Sequence, residues 1–391
     1  MRTYLDHAAS SPIVPEAVQA FTARLGSAGN ASSLHTSGRA ARAVLEDARE
    51  QLADDLGAHP TEVVFTSGGT EADNLAIQGA WRARPAGTIG RRDRLIRSAV
   101  EHPAVTETMT ALEREGADVA VVGVDRECVL DLEALAAALT VPTMLTSVMW
   151  VNNETGTVQP IDEVVALARN ADSWVHSDAI QAVGHVPVHF ADSGLDLLSV
   201  SAHKVGGPVG IGALLARREL PLRAYAFGGG QERDLRSGTA APALAAAFAA
   251  AVHRAVKNLE AETERLARLT DRLRFAIHLF GGVSNGRPGS PGILNVSFPG
   301  VRADNLLMLL DAAGIDCSTG SACTAGVNQP SPVLLAMGRS EDEALESLRF
   351  SLGWNSHAGD MQRAVEALPQ ALRRARLAAG GPDTEIVALD G

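Results

Sequence analysis

Lysine is nearly absent from this chain. Of its 34 basic residues, lysine occupies positions 204 and 257 only, and arginine fills the rest. Arginine's pKa is too high for it to act as an amine nucleophile, so chemistry that needs a neutral primary amine falls to one of two positions. Aromatic residues are scarce, at 4%, and cysteine is scarcer, at positions 128, 317 and 323. Without CxxC or cysteine–histidine spacing these three argue against a disulfide framework and against a zinc site, so reduced thiols are expected. No run of about eighteen apolar residues occurs, so no membrane-spanning helix and no membrane partner is expected. The opening Met1-Arg-Thr-Tyr-Leu-Asp6 lacks a signal-peptide pattern, which points to a cytoplasmic location. Positive charge is also in deficit. A formal net charge of −12 argues against nucleic acid as a direct partner.

What is present is a chain of 391 residues, 46% apolar and rich in Ala and Leu, long enough for two or more domains of a helix-rich α/β enzyme. Its centre is Lys204, set between the apolar run of Leu197, Leu198 and Val200 and a cluster of glycines at 206, 207, 210 and 212. A strand, then Ser201-Ala-His-Lys204, then glycines that permit close backbone approach, is a setting for a lysine that forms a Schiff base with a carbonyl cofactor. A lone lysine is more often a surface residue, and Lys257, on the polar face of a helical pattern, reads that way.

Along the chain, apolar runs end repeatedly in polar residues. Residues 62–66 form a strand followed by Ser67-Gly-Gly-Thr70 and a helix near Glu71, an arrangement whose unpaired N–H groups can cradle an anion. It is neither GxGxxG nor a P-loop, so no nucleotide is indicated. Residues 95–100 form a strand ending at Glu101-His102, and a histidine there can stack on a planar ligand or simply be a satisfied core residue. The basic run at 91–97 reads as a solvated loop leading into that strand. Residues 144–151 lead to Asn152-Asn-Glu-Thr-Gly156, and 173–178 carry Asp178 at the tip, where an acid can pair with a protonated ring nitrogen or cap a helix. This alternation gives a largely parallel sheet with its site along one edge. Residues 213–217 return as a strand, 228–239 form a polar loop, and 240–278 read as one long helical stretch. A composition change near residue 256 marks a domain boundary. Beyond it come a strand at 292–298, a helix at 305–311 and a small-residue loop holding Cys323. A helix at 341–348, a strand at 349–353 and a closing helix at 360–379, interrupted at Pro369, complete the chain.

Taken in order, Tyr4-Leu-Asp-His-Ala-Ala, Thr66-Ser-Gly-Gly-Thr-Glu71, Glu101-His102, Val151-Asn-Asn-Glu-Thr-Gly156, Ser201-Ala-His-Lys204, Arg236-Ser-Gly-Thr239, Gly320-Ser-Ala-Cys-Thr324 and Arg349-Phe-Ser-Leu-Gly353 form a specific set. From Tyr4 to about Leu368 the chain resembles the cysteine desulfurases, pyridoxal-phosphate enzymes of the class-V aminotransferase group and fold type I. The resemblance implies a large domain, 12–256, with a mostly parallel seven-stranded sheet. It implies a smaller α+β domain from 1–11 and 257–391, carrying the catalytic cysteine loop and the substrate-carboxylate arginine. Pyridoxal 5'-phosphate would be held covalently by Lys204, with Asp178 on its ring nitrogen, His102 stacked on the ring, Asn153 beside it and Gln181 on the phenolic oxygen. The phosphate would lie against Gly69, Thr70, Ser201 and His203, with Thr239 donated by the other subunit of a homodimer. Arg349, with Asn153, would bind the carboxylate of the substrate L-cysteine, in the bidentate geometry that suits guanidinium.

The resemblance gives Cys323 the distinctive step. Its thiolate attacks the substrate sulfur, alanine leaves, and the persulfide passes to a sulfur acceptor, an iron–sulfur scaffold or a tRNA-thiolating enzyme. The long small-residue loop after Ser-Ala-Cys-Thr is similar to the branch of the family whose cysteine reaches acceptors directly. Ala31 departs from the family's usual proline, residues 82–97 are a little longer than usual, and the tail from Ala378 to Gly391 does not resemble the scaffold-docking end. Selenocysteine lyase, or another pyridoxal-phosphate enzyme of aminotransferase fold, is the alternative, and a plain transaminase would have no use for Cys323. A non-catalytic scaffold would have no reason to keep Lys204, Asp178, Cys323 and Arg349 together.

Overall fold

The computed structural model describes residues 2–84, 92–320 and 329–378. The chain opens with β1 (Thr3–Tyr4), α1 (Pro15–Leu25) and α2 (Thr36–Leu56), and then alternates. In order come β2 (Val63–Thr66), α3 (Gly69–Ala83), β3 (Arg94–Ser98), α4 (Pro103–Arg114), β4 (Asp118–Val122), α5 (Leu132–Ala138) and β5 (Thr143–Ser147). They are followed by α6 (Ile161–Asn170), β6 (Trp174–Asp178), α7 (Phe190–Ser193), β7 (Leu197–Ser201) and β8 (Gly212–Ala216). β2 to β8 form one sheet in the order β2-β8-β7-β6-β5-β3-β4, parallel throughout except that β8 runs against both β2 and β7. The central strands read as near-continuous apolar runs because helices cover both faces. The pleat divides them. Val63 and Phe65 face α1, α2, α5, α6 and the later α8 (Pro242–Lys257), whereas Val64, Leu214 and Ala216 face α3 and α4.

After α8 come α9 (Leu259–Leu279), β9 (Val283–Asn285), β10 (Ile293–Ser297), α10 (Ala303–Ala312) and β11 (Ile315–Asp316). Then follow α11 (Pro332–Ala336), α12 (Glu341–Ala344), β12 (Ser347–Ser351) and α13 (Ala358–Ala378). An antiparallel sheet β12-β10-β9 packs on α9, α10 and α13 through Leu273, Ile277, Phe298, Leu306, Phe350 and Leu372, a core separate from the two that flank the large sheet. Leu5 belongs to this second core and Val14 to the first, so the first dozen residues pass from one to the other. β1 pairs in parallel with β11, Thr3 opposite Ile315.

The predicted fold class holds: a mostly parallel seven-stranded sheet with helices, followed by a smaller α+β part. Three local expectations are corrected. The stretch 240–278 is two helices, because Asn258 ends α8, its side-chain amide taking the Arg254 carbonyl at 2.7 Å in competition with the backbone. The helix expected at 341–348 stops at Ala344, because Ser347–Ser351 pairs as β12 with β10. The closing helix runs through Pro369 without a break. Leu368, Ala371, Leu372 and Ala375, on either side of the proline, are all packed in the second core, which outweighs the one lost backbone hydrogen bond. Lys257 is exposed at the end of α8, as expected. Of the basic run at 91–97, position 91 lies outside the described residues. Arg92 and Arg94 pair with Asp172 and Asp118, and Arg97 is half-buried.

Candidate active site

The C-terminal ends of the parallel strands open into one cavity of about 820 Å³. Its wall includes Gly69, Thr70, His102, Asn153, Asp178, Gln181, Ser201, His203, Lys204 and Arg349, ten of the residues singled out from sequence. Thr239 is not among them; it is exposed, in the loop whose Arg236 pairs with Glu71, next to Thr70 of the cavity wall. Cys323 lies outside the described residues, but Ser318, Gly320, Gln329 and Pro330, on either side of 321–328, line the same cavity.

Lys204 ends a short 3₁₀ turn, Ala202–Lys204, directly after β7. The turn closes through Val205 and Gly207 amides on the Ala202 carbonyl, and Gly206 adopts φ +83. A Cβ on Gly206 would lie 2.6 Å from a Val14 methyl, so glycine is required on both counts. The Lys204 Nζ donates to the carbonyls of Ala8 (2.6 Å) and Ala9 (2.8 Å). Burial, then the charge of Arg349, pushes its ammonium pKa down to about 8, against opposing pulls from Asp178 and Asp6. A neutral amine is thus within reach near neutrality.

Asp178 ends β6 and is buried. One carboxylate oxygen accepts the Ile180 N–H at 2.9 Å, but residues 180–185 form a turn, so Asp178 does not cap a helix as the alternative reading had it. Burial raises its pKa, while His102 and Lys204 pull it back. His102 is the N-cap of α4, its Nδ1 accepting the Ala104 N–H at 3.1 Å, which fixes the ring at the mouth of β3. Beneath Asp178, the buried His176 imidazole bridges Ser147 and Ser199 on the neighbouring strands, and burial pushes its pKa down to about 3.

An anion-binding corner lies at the start of α3. Gly68 is its N-cap and has no side chain to cover the first-turn amides. A Cβ at Gly69 would strike the Ile180 side chain at 2.1 Å and come within 3.6 Å of the Ser201 Cβ. The Ser201 hydroxyl beside it is buried and has no hydrogen-bond partner. Such an orphan is costly unless a ligand completes it. Open amides, Thr70, an unpartnered hydroxyl and His203 are the donors a phosphate needs, and a buried acid at Asp178 suits a cationic ring nitrogen. The donor set fits pyridoxal phosphate.

Opposite, Arg349 of β12 is 4% exposed. Its Nη1 donates to the Asn153 carbonyl (2.9 Å) and Nη2 to Asp6 (2.8 Å), while Nε is buried without a partner. The Gln181 amide donates to the Ala8 carbonyl at 2.8 Å and still faces the cavity. Sequence reasoning assigned no role to Asp6, the Ala8 and Ala9 carbonyls, Glu101 or Glu154. All but Asp6 line the cavity. All lie inside quoted motifs, and that was the available signal. Glu101 accepts from Ser98 and Met149, and burial pushes its pKa up to about 8. Cys128 and Cys317 have thiol pKa values raised first by burial.

Fold and site together define a pyridoxal-phosphate enzyme, and the family model of the class-V aminotransferases matches residues 3–364. An IscS-like cysteine desulfurase of Mycobacterium tuberculosis is 49% identical over 96% of this chain and 98% of its own length. A human cysteine desulfurase is 39% identical over 95% of this chain and 82% of its own. Among solved structures, a NifS-like protein superposes with a TM-score of 0.89 at 32% identity, covering 95% of this chain and 99% of that one. The chain belongs to the class-V aminotransferase family and, within it, to the cysteine desulfurases. No described helix is long and apolar enough to cross a membrane.

Proposed function

We propose that this cavity converts L-cysteine to L-alanine and that the sulfur leaves by way of a persulfide on Cys323. The observation that carries this reading is the shared wall. Lys204, Asp178, Ser201 and Arg349 line the same cavity as Gly320 and Gln329, the residues that border the Cys323 segment.

Lys204 would hold the cofactor through its amine and would move the proton at the substrate Cα. When bound, pyridoxal phosphate serves as the sink for the electron pair released on the substrate carbon. Asp178, buried and in need of a cationic partner, holds a proton on the ring nitrogen. Gly69, Thr70, Ser201 and His203 would bind its phosphate, and His102, Asn153 and Gln181 would hold its ring. Arg349 takes the substrate carboxylate. The Cys323 thiolate then attacks the substrate sulfur. An S–S bond forms and the Cβ–S bond breaks with its electron pair on carbon. A proton delivered there completes alanine, so no outside oxidant is consumed.

We infer a homodimer: Thr239 is exposed and does not line its own cavity, and Phe227, just before the same loop, is 83% exposed. Separate cores support a division into 12–256 and 1–11 with 257–391. The acceptor we infer is a protein, an iron–sulfur scaffold or a tRNA-thiolating enzyme, in the cytoplasm, where thiols stay reduced. The test is the cofactor's visible band on adding L-cysteine, with alanine and released sulfur assayed together. The expected result is a spectral change with equal yields of both. Alanine without sulfur, or a change without alanine, would overturn the reading.

Two predictions arise here. Arg349→Ala removes a charge-assisted contact of about 2 kcal/mol and should raise the apparent KM for cysteine roughly 30-fold, with a smaller change in kcat. An unchanged KM would put the carboxylate elsewhere. In cofactor-free protein, the neutral Lys204 amine is the reactive form and exists above its pKa, so condensation with added pyridoxal phosphate should accelerate as pH rises and level off above about 8. A rate still climbing at pH 10 would mean that the amine is not depressed.

A further inference from the structure

Asp6 does not line the cavity, yet it grips a residue that does. Its Oδ1 accepts the Arg349 Nη2 at 2.8 Å, while Nη1 donates to the Asn153 carbonyl at 2.9 Å. The guanidinium is therefore anchored at two corners, and two anchors fix its plane as one cannot. Asp6 is itself held. It lies beside Ser351 of β12, where the Leu5 carbonyl accepts the Ser351 N–H at 2.7 Å and the His7 N–H donates to the Ser351 carbonyl at 3.2 Å. The Asp6 carbonyl takes the Tyr4 hydroxyl (3.1 Å) and the Ala9 N–H (3.0 Å), closing a turn. That turn presents the Ala8 and Ala9 carbonyls to the Lys204 amine at 2.6 and 2.8 Å. One short piece of chain thus meets two cations of the cavity, Arg349 with a carboxylate and Lys204 with two carbonyls.

Asp178 of β6, His102 at the head of α4, His203 of the same 3₁₀ turn, Arg349 of β12 and Asp6 are the charged or titratable groups whose fields reach the Lys204 amine. Burial and then Arg349 drive the proton off it, while Asp178 and Asp6 hold the proton on. Arg349 is buried, so water and salt screen its charge little, and a carboxylate at 2.8 Å is its direct counter-ion.

We propose that Asp6 is a positioning residue with two effects: it orients the Arg349 guanidinium for the substrate carboxylate, and it balances the Arg349 charge beside the Lys204 amine. The inference rests on Arg349 taking that carboxylate. Asp6, off the cavity wall, acts through Arg349 and not on the substrate. With Nε buried and one N–H of each Nη engaged by Asp6 or Asn153, the remaining N–H on each Nη is left for the substrate.

The test joins steady-state turnover of L-cysteine by the holoenzyme to a titration that needs no turnover. Asp6→Ala should raise the apparent KM for cysteine about tenfold while kcat falls less than about threefold. Asp6→Asn keeps an oxygen for Nη2 and loses the charge, so its KM should return to within about threefold of wild type. The charge is read from the pH profile of condensation between the cofactor-free protein and added pyridoxal phosphate. The neutral amine reacts and Asp6 favours the ammonium, so either substitution should move the midpoint to lower pH, by about half a pH unit. Arg349→Ala should move it the other way, because Asp6 is then left unbalanced. Opposite shifts from the two ends of one ion pair are not what a loss of packing produces. Asp6→Asn carries the test if Asp6→Ala does not fold. A wild-type KM in Asp6→Ala, or a midpoint in Asp6→Asn that stays in place or rises, would overturn the proposal. Arg349→Ala separates the two levels. An unchanged KM in that variant would sink the reading of Arg349 and this inference with it. If KM rises there but not in Asp6→Ala, the result counts against Asp6 alone.

Discussion

Lys204→Ala is expected to lower alanine formation from cysteine by at least about 10³-fold, the loss typical of removing a covalent catalytic group. The effect should be chemical rather than structural. Among the described residues the Lys204 side chain is hydrogen-bonded at its tip, by the Ala8 and Ala9 carbonyls, and both carbonyls line a cavity that water can enter. Substitution therefore leaves no sealed void and no dry acceptor. The 3₁₀ turn is closed by backbone bonds to Ala202, which alanine preserves. Lys257, the other lysine, is exposed at the end of α8 and does not line the cavity, so it cannot take over. The check is cysteine turnover, with the visible spectrum recorded in parallel. The variant should retain cofactor through the α3 corner without the lysine-dependent band. Wild-type turnover would remove the central assignment.

Cys323→Ser should abolish persulfide formation while leaving the spectral response to cysteine in place. Oxygen is a poor nucleophile toward sulfur at neutral pH, whereas a thiolate is a strong one. The two other cysteines are badly placed to substitute. Cys128 is fully buried with its thiol pKa pushed up to about 12, and the Cys317 thiol is raised by burial and by Asp6. Neither presents a thiolate near pH 7. Labelled sulfur traced by mass spectrometry decides the matter, and its appearance on Cys128 or Cys317 in the variant would move the role.

The strand-end residues were legible because a parallel sheet covered on both faces writes itself as apolar runs, and the polar residues that end them must face the crevice. His102 and Asp178 were found that way, Lys204 by the scarcity of lysine and the glycines after it, and the cavity unites them. Partnerships across long separations left no such trace. Nothing local announces that Asp6 holds Arg349, 343 residues away, or that backbone carbonyls at 8 and 9 receive the Lys204 amine. Edge strand β4 escaped notice because it is short and half-exposed. The break at Asn258 was hidden in a helical composition that continues on both sides of it. Thr239, assigned to the site from its motif, does not line the cavity of its own chain, and no local pattern announced that.

The first eleven residues bear on how the enzyme is made. Several of their partners lie more than 300 residues further along the chain: Thr3 pairs with Ile315, the Leu5 carbonyl takes the Ser351 amide, and Asp6 meets Arg349. Closing contacts across more than 300 residues is entropically slow. The strands of the large sheet are all made by residue 216, whereas the guanidinium at 349 can meet Asp6 only once β12 has been made. A nascent chain stalled before β12 would hold a folded sheet and no working catalyst.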